Sequence, residues 1–148
     1  MEKTGLTPSV AEVERIASAG EYRRVPVRRE LLADQFTTIE VMRRLRAASH
    51  HVFLLESAES DQRSGRWSFL GFDPSMEITC LDSCLRVRTG VESVLPSEAP
   101  APVVEERQVD HPGPFLRQLI AANRTPQLPG FPPFVGGLVG YFSYDYLK

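Results

Sequence analysis

The sequence predicts an α+β fold: mainly antiparallel sheets (meander and sandwich-like) packed with about three helices. Three observations predict it. Residues 76–87 alternate apolar and polar side chains around a short polar turn, the pattern of antiparallel strands with one wet face. Val52-Phe53-Leu54-Leu55 and Trp67-Ser68-Phe69-Leu70 are short apolar runs bounded by polar or turn residues, as strands are. Apolar residues recur at helical spacing in three further stretches, each opened by a capping residue or a proline.

The chain has 148 residues. That is enough for one domain burying roughly 70% of its unfolded surface. Apolar content of 42% and charged content of 24% are ordinary for a soluble globular protein. A net charge of −2 leaves no footprint for a polyanion, so nucleic acid is not an expected partner. Lysine occurs only at Lys3 and Lys148, which reads as compositional bias. No apolar run approaches the ~20 residues of a membrane span. Residues 1–10 lack the apolar core of a signal peptide, so the expected compartment is the cytoplasm. Cys80 and Cys84 have no second Cys or His cluster to complete a metal site and read as reduced thiols. His50 and His51 are adjacent; in a strand they face opposite ways and cannot chelate together.

The elements follow in order. Thr7 caps a helix and Pro8 takes its first position, with Val10, Val13, Ile16 and Ala17 on the apolar side and Gly20 as terminator. Residues 22–32 suit an edge strand, because Val25 and Val27 alternate with charges and Pro26 cannot donate to a ladder. Arg23, Arg24, Arg28 and Arg29 there read as a solvated face. Thr37 and Glu40 form a capping-box pattern for a helix through Val41, Met42, Leu45 and Ala48, with Arg43, Arg44 and Arg46 on its other side. That helix feeds a strand at 51–57. Its continuous apolar run suits cover on both faces.

A second strand runs from Gly65 through Trp67 and Phe69 to a turn at Asp73-Pro74. Met76, Ile78 and Cys80, then Leu85 and Val87, then 91–94 form the meander, with turns at Asp82-Ser83 and Thr89-Gly90. Residues 96–102 read as an exposed loop. Pro112 starts the third helix, with Phe115, Leu116, Leu119 and Ile120 apolar. Residues 125–133 carry four prolines and form an extended loop. Residues 134–145 read as a long apolar strand interrupted by Gly136, Gly137 and Gly140, which mark a bulge, a bend or a close backbone approach. The glycines resemble a phosphate loop, but neither a Lys-Ser/Thr pair nor a following helix start accompanies them. So apolar a strand belongs inside a sheet, and the sequence reads as the front part of something larger.

Glu56, Ser57 and Arg66 place a carboxylate, a hydroxyl and a guanidinium beside two apolar strands. An apolar wall with a few converging polar groups is how a small-molecule pocket is built. The alternative is that Glu56 and Ser57 end a strand and Arg66 caps a turn.

Three motifs stand in order: Leu54-Leu55-Glu56-Ser57; Gly65-Arg66-Trp67-Ser68-Phe69-Leu70-Gly71 with Pro74 behind it; and Pro132-Pro133-Phe134-x-Gly136-Gly137-x-x-Gly140-Tyr141-x-x-Tyr144-Asp145. Together they resemble the N-terminal region of anthranilate synthase component I, over nearly the whole chain. Thr37-Thr38 departs from the Thr-Pro pair more usual there, but Thr37 still caps.

The resemblance implies one N-terminal regulatory region over residues 1–148, preceding a catalytic region that carries the chorismate and Mg²⁺ sites. It implies no catalytic residue and no cofactor in this chain, with Mg²⁺ belonging to the full-length enzyme. It implies an L-tryptophan feedback pocket to which Leu55, Glu56 and Ser57 contribute, with Arg66 on the rim, and a glutamine amidotransferase subunit as partner of the whole enzyme. The related aminodeoxychorismate synthase large subunit and a stand-alone amino-acid-binding module are the alternatives. An amino-acid zwitterion suits these residues chemically: Glu56 or a strand carbonyl accepts from the ammonium, Arg66 forks onto the carboxylate, and Ser57 donates or accepts.

Overall fold

The structure, a computed structural model, describes residues 5–56, 67–90 and 101–147. Its elements in chain order are α1 (Val10–Ser18), α2 (Thr38–Ala48), β1 (Val52–Glu56), β2 (Ser68–Phe72), β3 (Met76–Leu81), β4 (Cys84–Thr89), β5 (Val103–Gln108) and α3 (Gly113–Ala122), with a 3₁₀ turn at Tyr144–Leu147. The architecture is α+β, with two antiparallel sheets, β1-β2 and β3-β4-β5. The chain divides into two compact units: Ala33–Phe115, and Met1–Leu32 together with Leu116–Lys148.

In the unit Ala33–Phe115, the β3–β4 hairpin closes through Asp82 (φ 47°) and Ser83 (φ 62°). Two left-handed residues make the two-residue turn whose twist matches the flanking strands. The register sets Ile78 opposite Val87 and Cys80 opposite Leu85. That face holds the core: Leu85 and Val87 are the buried apolar side chains among the described residues, and Leu85 is fully buried. The other face is wet. Arg88 lies opposite Glu77 and Arg86 opposite Glu106, with charged groups 3.7 Å and 3.4 Å apart. Exposed pairs of this kind contribute about 0–1 kcal/mol and mainly favour the register.

The far neighbour of β4 is β5, Val103–Gln108, in a stretch to which the sequence assigned no strand. The expected third strand, 91–94, lies outside the described residues. The apolar alternation that marks β3 and β4 is missing from Val-Val-Glu-Glu-Arg-Gln. All six residues of β5 are exposed. An edge strand carrying charges on its inward face guards against stray pairing, and such a strand does not look like one in sequence. Arg107, on the Leu85 face, stacks over the Phe115 ring at 4.4 Å from its centroid.

Helix α2 lies against β1 and β2. The Thr37 hydroxyl accepts from the Glu40 N–H at 3.2 Å, as expected of a cap. The Glu40 carboxylate turns instead to Arg44, at 2.9 Å one helical turn on. Val41, Met42 and Leu45 are half-buried, and the three arginines are exposed. In β1, Val52, Phe53 and Leu54 are half-buried, but Leu55 is 47% exposed. The expected cover on both faces therefore stops short of the strand's end.

In the other unit, the cap of α1 is Ser9 rather than Thr7. Ser9 and Glu12 form a complete capping box. Thr7 is taken up elsewhere: its N–H and C=O exchange hydrogen bonds with Arg28 at 2.9 and 2.8 Å. Gly20 (φ 72°) ends the helix as expected. Residues 22–32 form no strand beyond that single bridge. Arg23, Arg24 and Arg29 are exposed, whereas Arg28 is half-buried. Its guanidinium pairs with Glu30 at 3.1 Å, donates to the Gly130 carbonyl and lies over the Phe131 ring at 5.1 Å. Arg24 donates to Asn123 at 2.6 Å. These two arginines link the segment before residue 32 to α3 and the proline-rich loop.

The strand expected over 134–145 is not formed. Among the described residues no strand runs alongside it, and an apolar run without a neighbour to supply donors and acceptors makes no ladder. Gly136 (φ 137°) and Gly137 (φ 156°) turn the backbone away from extended geometry, as glycines inside a strand pattern signal. Tyr141 is 93% exposed.

Candidate functional site

Of the site residues expected from sequence, the two that the structure describes, Leu55 and Glu56, lie at one end of the β1–β2 ribbon. Its register is Phe53↔Gly71, Leu54↔Leu70, Leu55↔Phe69 and Glu56↔Ser68. Directly opposed residues share a face and successive residues alternate. One face therefore carries Val52, Leu54 and Glu56 with Phe72, Leu70 and Ser68. The other carries Phe53 and Leu55 with Gly71 and Phe69, and Trp67 continues it by the same alternation.

Glu56 ends β1 with its carboxylate turned to α2. Oε1 accepts from Thr38 Oγ1 at 2.7 Å and from Ser68 Oγ at 3.4 Å. Thr38 is the first residue of α2, so the carboxylate lies at a helix N-terminus, where backbone dipoles favour negative charge. Neither hydroxyl was singled out from sequence. Ser68 becomes recognisable as a partner only once the register is known, and Thr38 stands beside the more obvious cap.

Leu55 belongs to the other face. The Trp67 and Phe69 rings stack there with centroids 6.4 Å apart, and Trp67 is 38% exposed. Phe53 lies over Gly71 so closely that a Cβ at that position would overlap its ring. The glycine is what lets an aromatic side chain lie flat across the strand pair. The result is an apolar platform, partly open at the Leu55–Trp67 end. Leu55 and Glu56 are thus adjacent in sequence but present their side chains to opposite faces. Ser57 and Arg66 lie outside the described residues.

Among the described residues, no three of His, Cys, Asp and Glu converge as a metal site. Cys80 and Cys84 are free thiols on neighbouring strands. No described helix is long and apolar enough to cross a membrane.

The chain is similar to curated proteins of one kind. It is 37% identical over 133 residues to anthranilate synthase component 1 of Mycobacterium tuberculosis, covering 88% of this chain and 24% of that protein. It is 35% identical over 132 residues to the protein of that name from Mycolicibacterium smegmatis, covering 89% and 23%. It is 34% identical over 128 residues to that of Neisseria meningitidis, covering 86% and 24%.

The chain belongs to the anthranilate synthase component I family.

What it matches is that family's N-terminal region, and it spans about a quarter of the length of these relatives. No protein-family model matches it, and no solved structure does. In this component I region, Leu55 and Glu56 of the Leu-Glu-Ser run are the end of β1. The Gly65–Gly71 motif becomes β2 from Ser68 onward, paired with β1 residue for residue.

Proposed function

We propose that this chain is the regulatory N-terminal part of an anthranilate synthase component I and contributes the enzyme's L-tryptophan feedback pocket. The catalytic region follows it in the whole enzyme. There chorismate and glutamine-derived ammonia become anthranilate and pyruvate with Mg²⁺, and a glutamine amidotransferase subunit supplies the ammonia. No residue described in this region is assigned to the metal or to the chemistry. Feedback is then a coupling between two sites, in which tryptophan binds one arrangement of the enzyme better than another.

The observation that carries this reading is the end of β1. A carboxylate held at a helix N-terminus stands there next to a partly open apolar platform of Leu55, Trp67 and Phe69. A tryptophan zwitterion needs an acceptor for its ammonium and an apolar surface for its indole. Leaving either charge buried and unpaired costs several kcal/mol. Since Leu55 and Glu56 face opposite ways, a ligand that touches both lies across the end of the strand rather than on either face. That end continues into Ser57, whose hydroxyl is the next polar group along the chain.

The test is thermal unfolding of the component I carrying this sequence, with L-tryptophan and with L-phenylalanine as control. Ligand at a hundredfold over its dissociation constant adds about 2.7 kcal/mol to the native state. A tryptophan-specific rise that Ser57→Ala abolishes is expected. A transition that tryptophan leaves unmoved refutes the pocket.

A further inference from the structure

At the Glu56 carboxylate, α2 meets both strands of the ribbon through side-chain hydrogen bonds. Thr38 Oγ1, from the first turn of α2, and Ser68 Oγ, from the first residue of β2, both donate to Oε1. The Thr38 bond is short, as charge-assisted bonds are, and the helix dipole favours the same charge. The Thr38 hydroxyl is not needed as the helix cap, because Thr37 performs that task.

From this geometry we infer that Thr38 is a positioning residue for the tryptophan site, acting through Glu56. The inference rests on the feedback reading above. Thr38 draws the carboxylate onto the N-terminus of α2, and Ser68 ties it to β2. Together they fix where the Glu56 carboxylate stands relative to the apolar platform. A carboxylate has about four acceptor sites, so one oxygen held by hydroxyls leaves capacity for a ligand's ammonium. The tie also gives tryptophan a path to α2: a ligand that competes for the carboxylate loosens the helix from the ribbon, and one that completes its hydrogen bonds tightens it.

The experiment compares Thr38→Val, Thr38→Ser, Glu56→Gln and the Thr38→Val/Glu56→Gln pair in the component I carrying this sequence, assayed for anthranilate formation over a tryptophan titration. Thr38→Val keeps the shape and removes the donor. It is expected to raise the half-inhibitory tryptophan concentration about fivefold, while kcat and KM for chorismate without tryptophan stay within about twofold. Thr38→Ser keeps the donor and is expected to match the parent. The double variant is expected to be no weaker than Glu56→Gln alone, because the hydroxyl acts through the carboxylate.

A tryptophan-sensitive parent with an unchanged Thr38→Val variant overturns the inference. So does equal weakening in Thr38→Ser, or additivity in the double variant. A parent indifferent to tryptophan refutes the feedback reading itself. In that case amide exchange of residues 54–56 and 68–70 still tests the tie: no loss of protection in Thr38→Val overturns it.

Discussion

Gly71→Ala probes the packing that lets Phe53 lie across the β1–β2 ribbon. A Cβ at residue 71 would overlap Cε1 and Cζ of the Phe53 ring, with Cδ1 at 2.9 Å. Real Cβ contacts are essentially never that close, so the ring has to rotate or the strands have to part. Forcing one extra carbon into such a contact costs about 1–3 kcal/mol. For a denaturant slope of ~2 kcal/mol per molar urea, the midpoint falls by about 1 M. Trp67 is the chain's one tryptophan, and it stacks near Phe69 on the same face. Its fluorescence therefore reports on this ribbon directly. Two controls separate the ring overlap from a general glycine effect. Gly140→Ala meets nothing within 4 Å and is expected to be near neutral. Phe53→Leu in the Gly71→Ala background is expected to recover part of the loss, because the smaller side chain vacates the overlap. An unchanged midpoint in Gly71→Ala, or losses that simply add in the double variant, refutes the reasoning.

Three further outcomes are expected. Leu85→Ala empties the most buried side chain of the described residues and costs about 2–5 kcal/mol, read as a lowered urea midpoint; a loss under about 1 kcal/mol would show that the β4 face is not the core. Arg28→Ala removes the ion pair with Glu30, the bond to the Gly130 carbonyl and the stacking on Phe131, and is expected to speed amide exchange at 128–131 about fivefold to tenfold; Arg28→Lys recovers little, since a point charge cannot fork and stack at once. The Glu12 carboxyl is held below its usual value of 4.5, first by the backbone N–H of Ser9 and then by the Ser9 hydroxyl. A depressed carboxyl adds stability above its unfolded pKa and loses it as pH falls through the folded value. The helicity of α1 therefore declines on acidification below about 4.5, and Ser9→Ala, besides costing ~1 kcal/mol of capping, weakens that dependence in circular dichroism without abolishing it, because the backbone N–H of residue 9 still donates to Glu12.

Much of the fold is legible in local chemistry. The β3–β4 hairpin follows from strict alternation and a two-residue Asp-Ser turn, and α2 from Thr37 and an amphipathic stripe. Such features depend on residues within a few positions of one another, where period and capping decide the outcome. Where two local solutions compete, sequence reasoning errs by a short step. Thr7-Pro8 and Ser9-x-x-Glu12 both open a helix well, and the capping box with two satisfied groups prevails while Thr7 bonds Arg28.

What the sequence by itself determined is the class of fold, most of the elements, the family, and the stretch in which to look for a site. Those follow from periodicity, turn chemistry and motif order. Register belongs to the tertiary structure. The tertiary structure alone decided that Leu55 stands opposite Phe69 and Glu56 opposite Ser68, that Ser68 and Thr38 converge on one carboxylate oxygen, and that β4 pairs with the charged, apolar-poor β5. It also decided that the apolar run at 134–145 stays out of the described sheets. The physical reason is the same in each case. A strand's side chains and hydrogen bonds acquire meaning only against a neighbour, and that neighbour is chosen by packing over distances no local pattern encodes.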